Sequence, residues 1–122
     1  MKDIVIFGAG GLAKETVLMI TDGINYYHKN AYRILGFVVE EKYYQPGKSV
    51  SGYPILGTER WVIDHKDEVC CALAIGEHTH ERERIFNMLK TAGVKLETLI
   101  CGNAYVPKSC KIGEGCYIGT GV

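Results

Sequence analysis

Glycine residues follow an apolar run near the start of the chain, and their spacing is typical of a turn that binds phosphate. The run at residues 4–7 ends at Gly8, and Gly10 and Gly11 precede a helix-forming segment that begins near Leu12. Glycine tolerates positive φ and leaves room for a ligand beside the backbone. A helix N-terminus directs unpaired N–H groups at such a ligand. The segment therefore predicts a phosphate-binding turn, and the alternative is that the small residues only allow tight packing.

Two later apolar runs also end at candidate binding residues. Residues 34–39 end at Val39 and are followed by Glu40, whereas residues 69–75 are followed by Gly76. Both runs are apolar enough for strands that are buried on both faces, as in a parallel sheet. Ligands of open α/β sheets bind at the carboxyl ends of strands, where the direction of winding reverses. We therefore expect the glycine turn and Gly76 to face each other across one crevice.

The elements that would position these residues alternate between strands and helices. Four strands are predicted, at residues 4–7, 34–39, 69–75 and 94–100. Three helices are predicted: one at residues 14–22, a short one that begins after the N-cap Thr58, and one that runs from the N-cap Thr79 to Gly93. Such alternation is typical of an α/β fold with a parallel sheet. Right-handed crossovers limit the strand orders, and we predict a small Rossmann-like sheet with the order 2-1-3-4.

The tail has a different pattern, in which aliphatic and small residues recur every six positions. The aliphatic residues are Ile100, Val106, Ile112 and Ile118, and the small residues two places earlier are Ala104, Cys110 and Cys116. This spacing predicts a left-handed parallel β-helix, in which three hexads make one coil. A single coil cannot bury its own apolar face. We therefore expect an N-terminal piece of a longer protein, with a Rossmann-like domain at 1–100 and the first coil of a β-helix at 101–122.

Composition excludes several classes of function. Fourteen basic and fourteen acidic residues cancel, so net charge does not indicate a nucleic-acid or membrane partner. The sequence has no signal-peptide pattern and no apolar run of membrane-spanning length. Five cysteines, without a C-x-x-C pair, indicate reduced thiols and a cytoplasmic location. His78 and His80 do not have the spacing of a metal site unless the segment is extended, so no metal is predicted.

Several short motifs, in their order and spacing, resemble the sugar O-acyltransferase family. That family includes the NeuD sialic acid O-acetyltransferases and the PglD-like bacterial nucleotide-sugar acetyltransferases. The motifs are GAGG at residues 8–11, GF at 36–37, GYPILG at 52–57, AIG at 74–76, TLI at 98–100 and KIGEG at 111–115. The chain departs from the family at Val39 and Glu40, where relatives usually carry two acidic residues, and at Cys101-Gly102, where many carry His-Pro.

The resemblance implies a division of labour between two domains. The Rossmann-like domain would bind a UDP-sugar or a related nucleotide sugar, and the β-helix would trimerise and bind acetyl-CoA. The residues implied in substrate binding are Gly8, Gly10, Gly11, Leu12, Val39, Glu40 and Gly76. Relatives use a histidine of a later coil as the base, and this chain has no histidine beyond His80. We therefore expect this piece to contain no catalytic residue, no acetyl-CoA site and little of the homotrimer contact, and to be inactive alone.

Two other interpretations remain open. A dinucleotide-binding protein would carry an acidic residue about 20 positions after the glycine motif and a second mononucleotide-binding half. Here Glu40 lies 30 positions after Gly10, and no second half follows. A non-catalytic assembly module would use exposed aromatic residues, and the candidates are Tyr26, Tyr27, Tyr32, Tyr43, Tyr44 and Tyr53.

Overall fold

Strands and helices alternate along the chain in a computed structural model, which describes residues 2–24, 32–76, 80–100, 109 and 111–118. The strands are β1 (Lys2–Phe7), β2 (Tyr32–Val39), β3 (Ser49–Val50), β4 (Tyr53–Thr58), β5 (Cys70–Leu73), β6 (Lys95–Leu96), β7 (Leu99–Ile100) and β8 (Tyr117–Ile118). The α-helices are α1 (Gly11–Leu18), α2 (Glu59–Asp64) and α3 (Glu81–Thr91). A π-helical turn, Met19–Ile24, extends α1, and a 3-10 turn, Glu41–Tyr43, follows β2.

Six of the strands form one sheet in the order β3-β4-β2-β1-β5-β6. The strands β2, β1, β5 and β6 correspond to the four predicted strands, and their parallel pairing confirms the order 2-1-3-4. β4 extends the sheet in parallel beside β2, and β3 pairs antiparallel with β4. β3 therefore makes the sheet mixed, a feature that the sequence analysis did not predict.

The predicted fourth strand at residues 94–100 divides into two strands of different sheets. β6 pairs with β5 in the main sheet, whereas β7 pairs in parallel with β8. Leu99 pairs with Tyr117 and Ile100 with Ile118, so each partner lies 18 positions further along the chain. That offset equals three six-residue repeats, the length expected for one coil of a β-helix. The domain boundary at residue 100 stays a prediction.

Helices cover both faces of the sheet and bury its central strand. In β1, Ile4 and Ile6 belong to the apolar cluster that contains α1, whereas Val5 and Phe7 belong to the cluster of α2 and α3. All four side chains are at most 1% exposed. Successive residues of a strand point to opposite faces, which explains why this short run is entirely apolar. The helices change sides between the two neighbours of β1, so winding reverses there.

Two helix ends agree with the signals in the sequence, whereas α1 ends at Leu18 and continues as the π-helical turn. Thr58 caps α2, since its hydroxyl oxygen accepts a hydrogen bond from the N–H of Arg60 at 3.3 Å. Gly93 ends α3 with φ +87°, and the N–H of Val94 donates to the carbonyl oxygen of Leu89. This is the Schellman arrangement, in which a left-handed residue closes the helix. The N-cap of α3 is His80, with φ +54°, and not the predicted Thr79, which lies outside the described residues.

The segment at 111–118 is attached to the α/β part by several hydrogen bonds. Arg82 on α3 donates to the carbonyl oxygens of Leu73, Ile75 and Gly115 at 2.7, 3.1 and 2.6 Å. The hydroxyl of Thr98 donates to the carbonyl oxygen of Gly113 at 2.6 Å. The guanidinium of Arg82 thus connects the carboxyl end of β5 to the hexad segment.

The cysteines of the described ranges are free thiols. Cys70 and Cys71 are buried in β5, and Cys116 is half-buried. Burial raises the pKa of the Cys70 thiol to about 12 and raises that of Cys71 further. Both groups are therefore protonated at neutral pH and function as small apolar core residues. Cys101 and Cys110 lie outside the described residues.

Candidate functional site

A crevice of about 450 Å³ lies at the carboxyl ends of the central strands, between the glycine turn and Gly76. Among the residues implied in substrate binding, five line it: Gly8, Gly10, Val39, Glu40 and Gly76. They come from three strand ends that are distant in sequence and adjacent in the sheet. The structure therefore places these residues together at the predicted crevice, where the winding of the sheet reverses.

Gly8 is required by the close approach of β1 and β5. Its φ is +118°, and a Cβ built on it would lie 2.5 Å from the carbonyl oxygen of Ala74. The N–H of Gly8 donates to the carbonyl oxygen of Val38 at 2.8 Å. The N–H of Ala74 donates to the carbonyl oxygen of Phe7 at 2.9 Å. Because its N–H already has an acceptor, Gly8 shapes the floor of the crevice but offers no free donor to a ligand.

Gly10 and Gly11 lie in a different environment at the start of α1. A Cβ on either residue would meet no protein atom within 4 Å. Gly10 is the N-cap and has no side chain with which to cap the helix, and the first turn of α1 has no acidic residue. The first N–H groups of a helix lack intrahelical acceptors, and they carry the positive end of its dipole. This end of the crevice therefore suits an anionic group.

Gly11 and Leu12 do not line the crevice. Gly11 begins α1, and Leu12 is partly buried against the apolar cluster beneath that helix. The contacts implied for these two residues stay predictions.

Two carboxylates of the crevice lining form a cluster with a guanidinium. Arg84 Nη2 lies 2.7 Å from Oε2 of Glu40 and 2.6 Å from Oε2 of Glu81. The hydrogen bond from Arg84 holds the pKa of Glu81 below its usual value, and the bonds to Glu40 and Glu81 raise the pKa of Arg84. Both glutamates line the crevice, whereas Arg84 stands behind them. Exposed ion pairs contribute little to stability, so we interpret this cluster by its geometry.

Eight residues that line the crevice were not predicted as site residues, and four of them come from elements other than the three strand ends: Tyr43, Ile55, Glu81 and Ile85. Tyr43, in the 3-10 turn, is 64% exposed, Ile55 lies in β4, and Glu81 begins α3. The sequence suggests Tyr43 only as an aromatic residue of an assembly surface, and it places Glu81 only within the helix from Thr79 to Gly93. The signal available for Glu81 was its position in the first helical turn after the strand that ends at Gly76.

A second cavity, of about 530 Å³, lies at the amino-terminal edge of the sheet. Its charged residues include two ion pairs, Lys2 with Glu97 at 3.3 Å and Arg33 with Asp3 at 2.7 Å. Ligands of α/β sheets bind at the opposite edge, so we do not place the functional site here. In the described part of the chain, no three His, Cys, Asp or Glu side chains are grouped as a metal site. No helix in these ranges is long and apolar enough to cross a membrane.

Solved structures with the same fold include sugar acetyltransferases. A mutant of perosamine N-acetyltransferase from Caulobacter crescentus, in complex with CoA and GDP-perosamine, has a TM-score of 0.77 at 22% identity. The acetyltransferase domain of PglB from Neisseria gonorrhoeae has a TM-score of 0.74 at 24% identity. The matches cover 99% and 98% of this chain but only 53% and 54% of those proteins. The chain thus spans about half the length of either structure.

Comparison with family models confirms the resemblance noted from the sequence. A search of curated protein sequences found no match. The model of the PglD N-terminal domain matches residues 3–89, which include the glycine turn, β2, β5 and most of α3. The matched region is more than half of the 122 residues. The chain belongs to the PglD N-terminal domain family.

Proposed function

We propose that this chain binds the acceptor nucleotide sugar of an acetyl-CoA-dependent sugar acetyltransferase. The observation that carries the proposal is the crevice between the glycine turn and Gly76, whose lining includes Gly10 and Glu40. In this proposal the ligand phosphates lie at the N-terminus of α1, where N–H groups are unpaired. The proposal includes contacts between the ligand and seven residues: Gly8, Gly10, Gly11, Leu12, Val39, Glu40 and Gly76.

For the whole protein we propose acetyl transfer to an amine or a hydroxyl of the sugar. The acceptor atom forms a bond to the acetyl carbon, the thioester C–S bond breaks, and the acceptor's proton leaves to a general base. Hydrogen-bond donors stabilise the tetrahedral oxyanion. None of the described residues is assigned to the base or to the acetyl-CoA site.

The offset of 18 positions between β7 and β8 supports a β-helical coil that follows the α/β domain. We therefore propose a β-helical part for the whole protein, and its resemblance to the sugar O-acyltransferase family supports the proposal that this part is homotrimeric. The free thiols Cys70, Cys71 and Cys116 support a cytoplasmic location.

Calorimetric titration of the chain with nucleotide sugars tests the proposal. UDP-glucose, UDP-N-acetylglucosamine and GDP-mannose are the probes, and NADH tests the alternative of a dinucleotide site. We expect saturable binding of at least one nucleotide sugar and none of NADH. Gly10→Ala should weaken binding, because its methyl group would enter the crevice, whereas Gly113→Ala, also in open space but outside the crevice, should not. Binding of NADH alone, or of no ligand at millimolar concentration, would refute the proposal.

A further inference from the structure

Glu40 and Glu81 approach each other on one wall of the crevice although they come from different elements. Glu40 follows β2, and Glu81 is the first residue of α3. A single nitrogen of Arg84 contacts both, and the distances of 2.7 and 2.6 Å limit the separation of the two Oε2 atoms to 5.3 Å. Two carboxylates this close repel each other unless a cation lies between them. Arg84 lies between the two carboxylates and offsets their mutual repulsion.

The charge of this wall determines which part of a ligand it can bind. Two glutamates line the crevice, and no lysine or arginine of the described residues does. The charges of Arg84 and of Lys42, which acts on Glu81 from outside the lining, offset those of the two glutamates, so the wall offers a phosphate no cation of its own lining. Within the described ranges, Oε1 of neither carboxylate has a hydrogen-bond donor. The wall thus offers acceptors for hydrogen-bond donors of a ligand.

Resting on the proposed function, we propose that Glu40 and Glu81 together bind a vicinal pair of hydroxyl groups of the nucleotide sugar, with Arg84 as a positioning residue. Each carboxylate has acceptor capacity beyond its bond to Arg84, so each can accept one hydroxyl. Carboxylates are the common acceptors for ribose hydroxyls in related α/β folds. A hexose carries the same vicinal groups, so the hydroxyl pair belongs either to the ribose or to the sugar.

Calorimetry with matched ligand pairs separates the two sources. UDP against 2′-deoxy-UDP measures the contribution of the ribose hydroxyl, and UDP-glucose against UDP measures that of the hexose; GDP, 2′-deoxy-GDP and GDP-mannose form the corresponding guanosine set. A hydrogen bond to a charged group corresponds to about tenfold or more in affinity. We expect the wild-type chain to discriminate at least one pair by about this factor.

Three variants locate that discrimination in the cluster. Glu81→Gln and Arg84→Gln should each reduce the affinity ratio of the discriminated pair toward one. Glu83→Gln makes the same change on the same helix at a residue that is 73% exposed and does not line the crevice, so it should leave the ratio unchanged. The ratio is informative because a general loss of folded protein lowers the apparent affinity for both ligands of a pair alike.

The outcomes distinguish this inference from the proposed function. If the wild-type chain binds nucleotide sugars and Glu81→Gln keeps the wild-type ratios, the inference is overturned and the proposed function stands. An equal loss of affinity for UDP and 2′-deoxy-UDP, with an unchanged hexose contribution, also overturns it, because the carboxylate would then act on another part of the ligand. If the wild-type chain binds none of the probes, the proposed function fails, and the inference fails with it.

Discussion

The substitution Gly8→Ala tests whether the turn after β1 is built by the close approach of β1 and β5. The new methyl group would lie 2.5 Å from the carbonyl oxygen of Ala74 and 3.2 Å from its carbonyl carbon. Ala74 is held in place on its amino-terminal side, because its N–H donates to the carbonyl oxygen of Phe7 at 2.9 Å. The φ of +118° is also one that alanine rarely adopts.

Two physical costs determine the expected loss of stability. A side chain held in a sparsely populated backbone region costs about 1–3 kcal/mol, and overpacking against a fixed neighbour costs about 1–3 kcal/mol. We therefore expect Gly8→Ala to lower the free energy of unfolding by about 3–5 kcal/mol. For a chain of this size that loss corresponds to a decrease in Tm of about 10–20 °C.

Gly11→Ala is the matched control for the thermal unfolding experiment. A Cβ on Gly11 faces open space, and the residue lies at the start of α1. Alanine favours the helix over glycine by about 0.5–1 kcal/mol, so Tm should stay constant or rise slightly. Circular dichroism measures both melting curves. A Gly8→Ala variant that melts within about 2 °C of the wild-type chain would refute the close approach of β1 and β5.

Three further predictions concern the tail, the alkaline limit of stability and the thiols. Arg82→Gln removes three hydrogen bonds to backbone carbonyl oxygens and should lower the free energy of unfolding by about 2–4 kcal/mol in urea titrations. The control Arg60→Gln, at an exposed position of α2, should change that free energy by less than about 0.5 kcal/mol. Equal small changes in the two variants would contradict the attachment of the tail. Burial, and then the hydrogen bond to Glu97, raise the pKa of Tyr32 above its usual value of 10.0. The protonated phenol of Tyr32 should therefore stabilise the folded chain fully below about pH 10, and this stabilisation should decrease as the pH rises further. Tyr32→Phe should reduce the decrease in the free energy of unfolding above about pH 10. An unchanged pH dependence in this variant would contradict the burial of the phenol. Iodoacetamide at neutral pH should alkylate half-buried Cys116 much faster than buried Cys70 in the folded chain. Peptide mapping measures the two rates, and equal rates would contradict the buried, protonated state of Cys70.

The central strands could be predicted because burial on both faces leaves a clear signal. β1, β2 and β5 are apolar runs in which nearly every side chain meets a helix or a neighbouring strand. β4 was missed because Pro54 and Gly57 interrupt its apolar pattern, although the strand pairs with β2. The division of residues 94–100 into β6 and β7 depends on a change of pairing partner, which the local pattern does not encode.

The crevice was predictable only where it is built from strand ends. Gly8, Glu40 and Gly76 follow directly from the positions at which the apolar runs stop. Glu81 could not be assigned in this way, because its role depends on the approach of α3 to the end of β2. The contact between Arg84 and Glu40 joins residues 44 positions apart and becomes visible only in the folded chain.

Mapping of the ligand by NMR tests the central claim most directly. The backbone amides of the ¹⁵N-labelled chain would be followed during titration with UDP-glucose and GDP-mannose. The proposed site predicts saturable shifts at Gly10 and Gly76, which both line the crevice, and small shifts at Lys95 in the amino-terminal cavity. Shifts that concentrate at Lys95, or the absence of saturable shifts at Gly10 and Gly76 with millimolar ligand, would contradict the account.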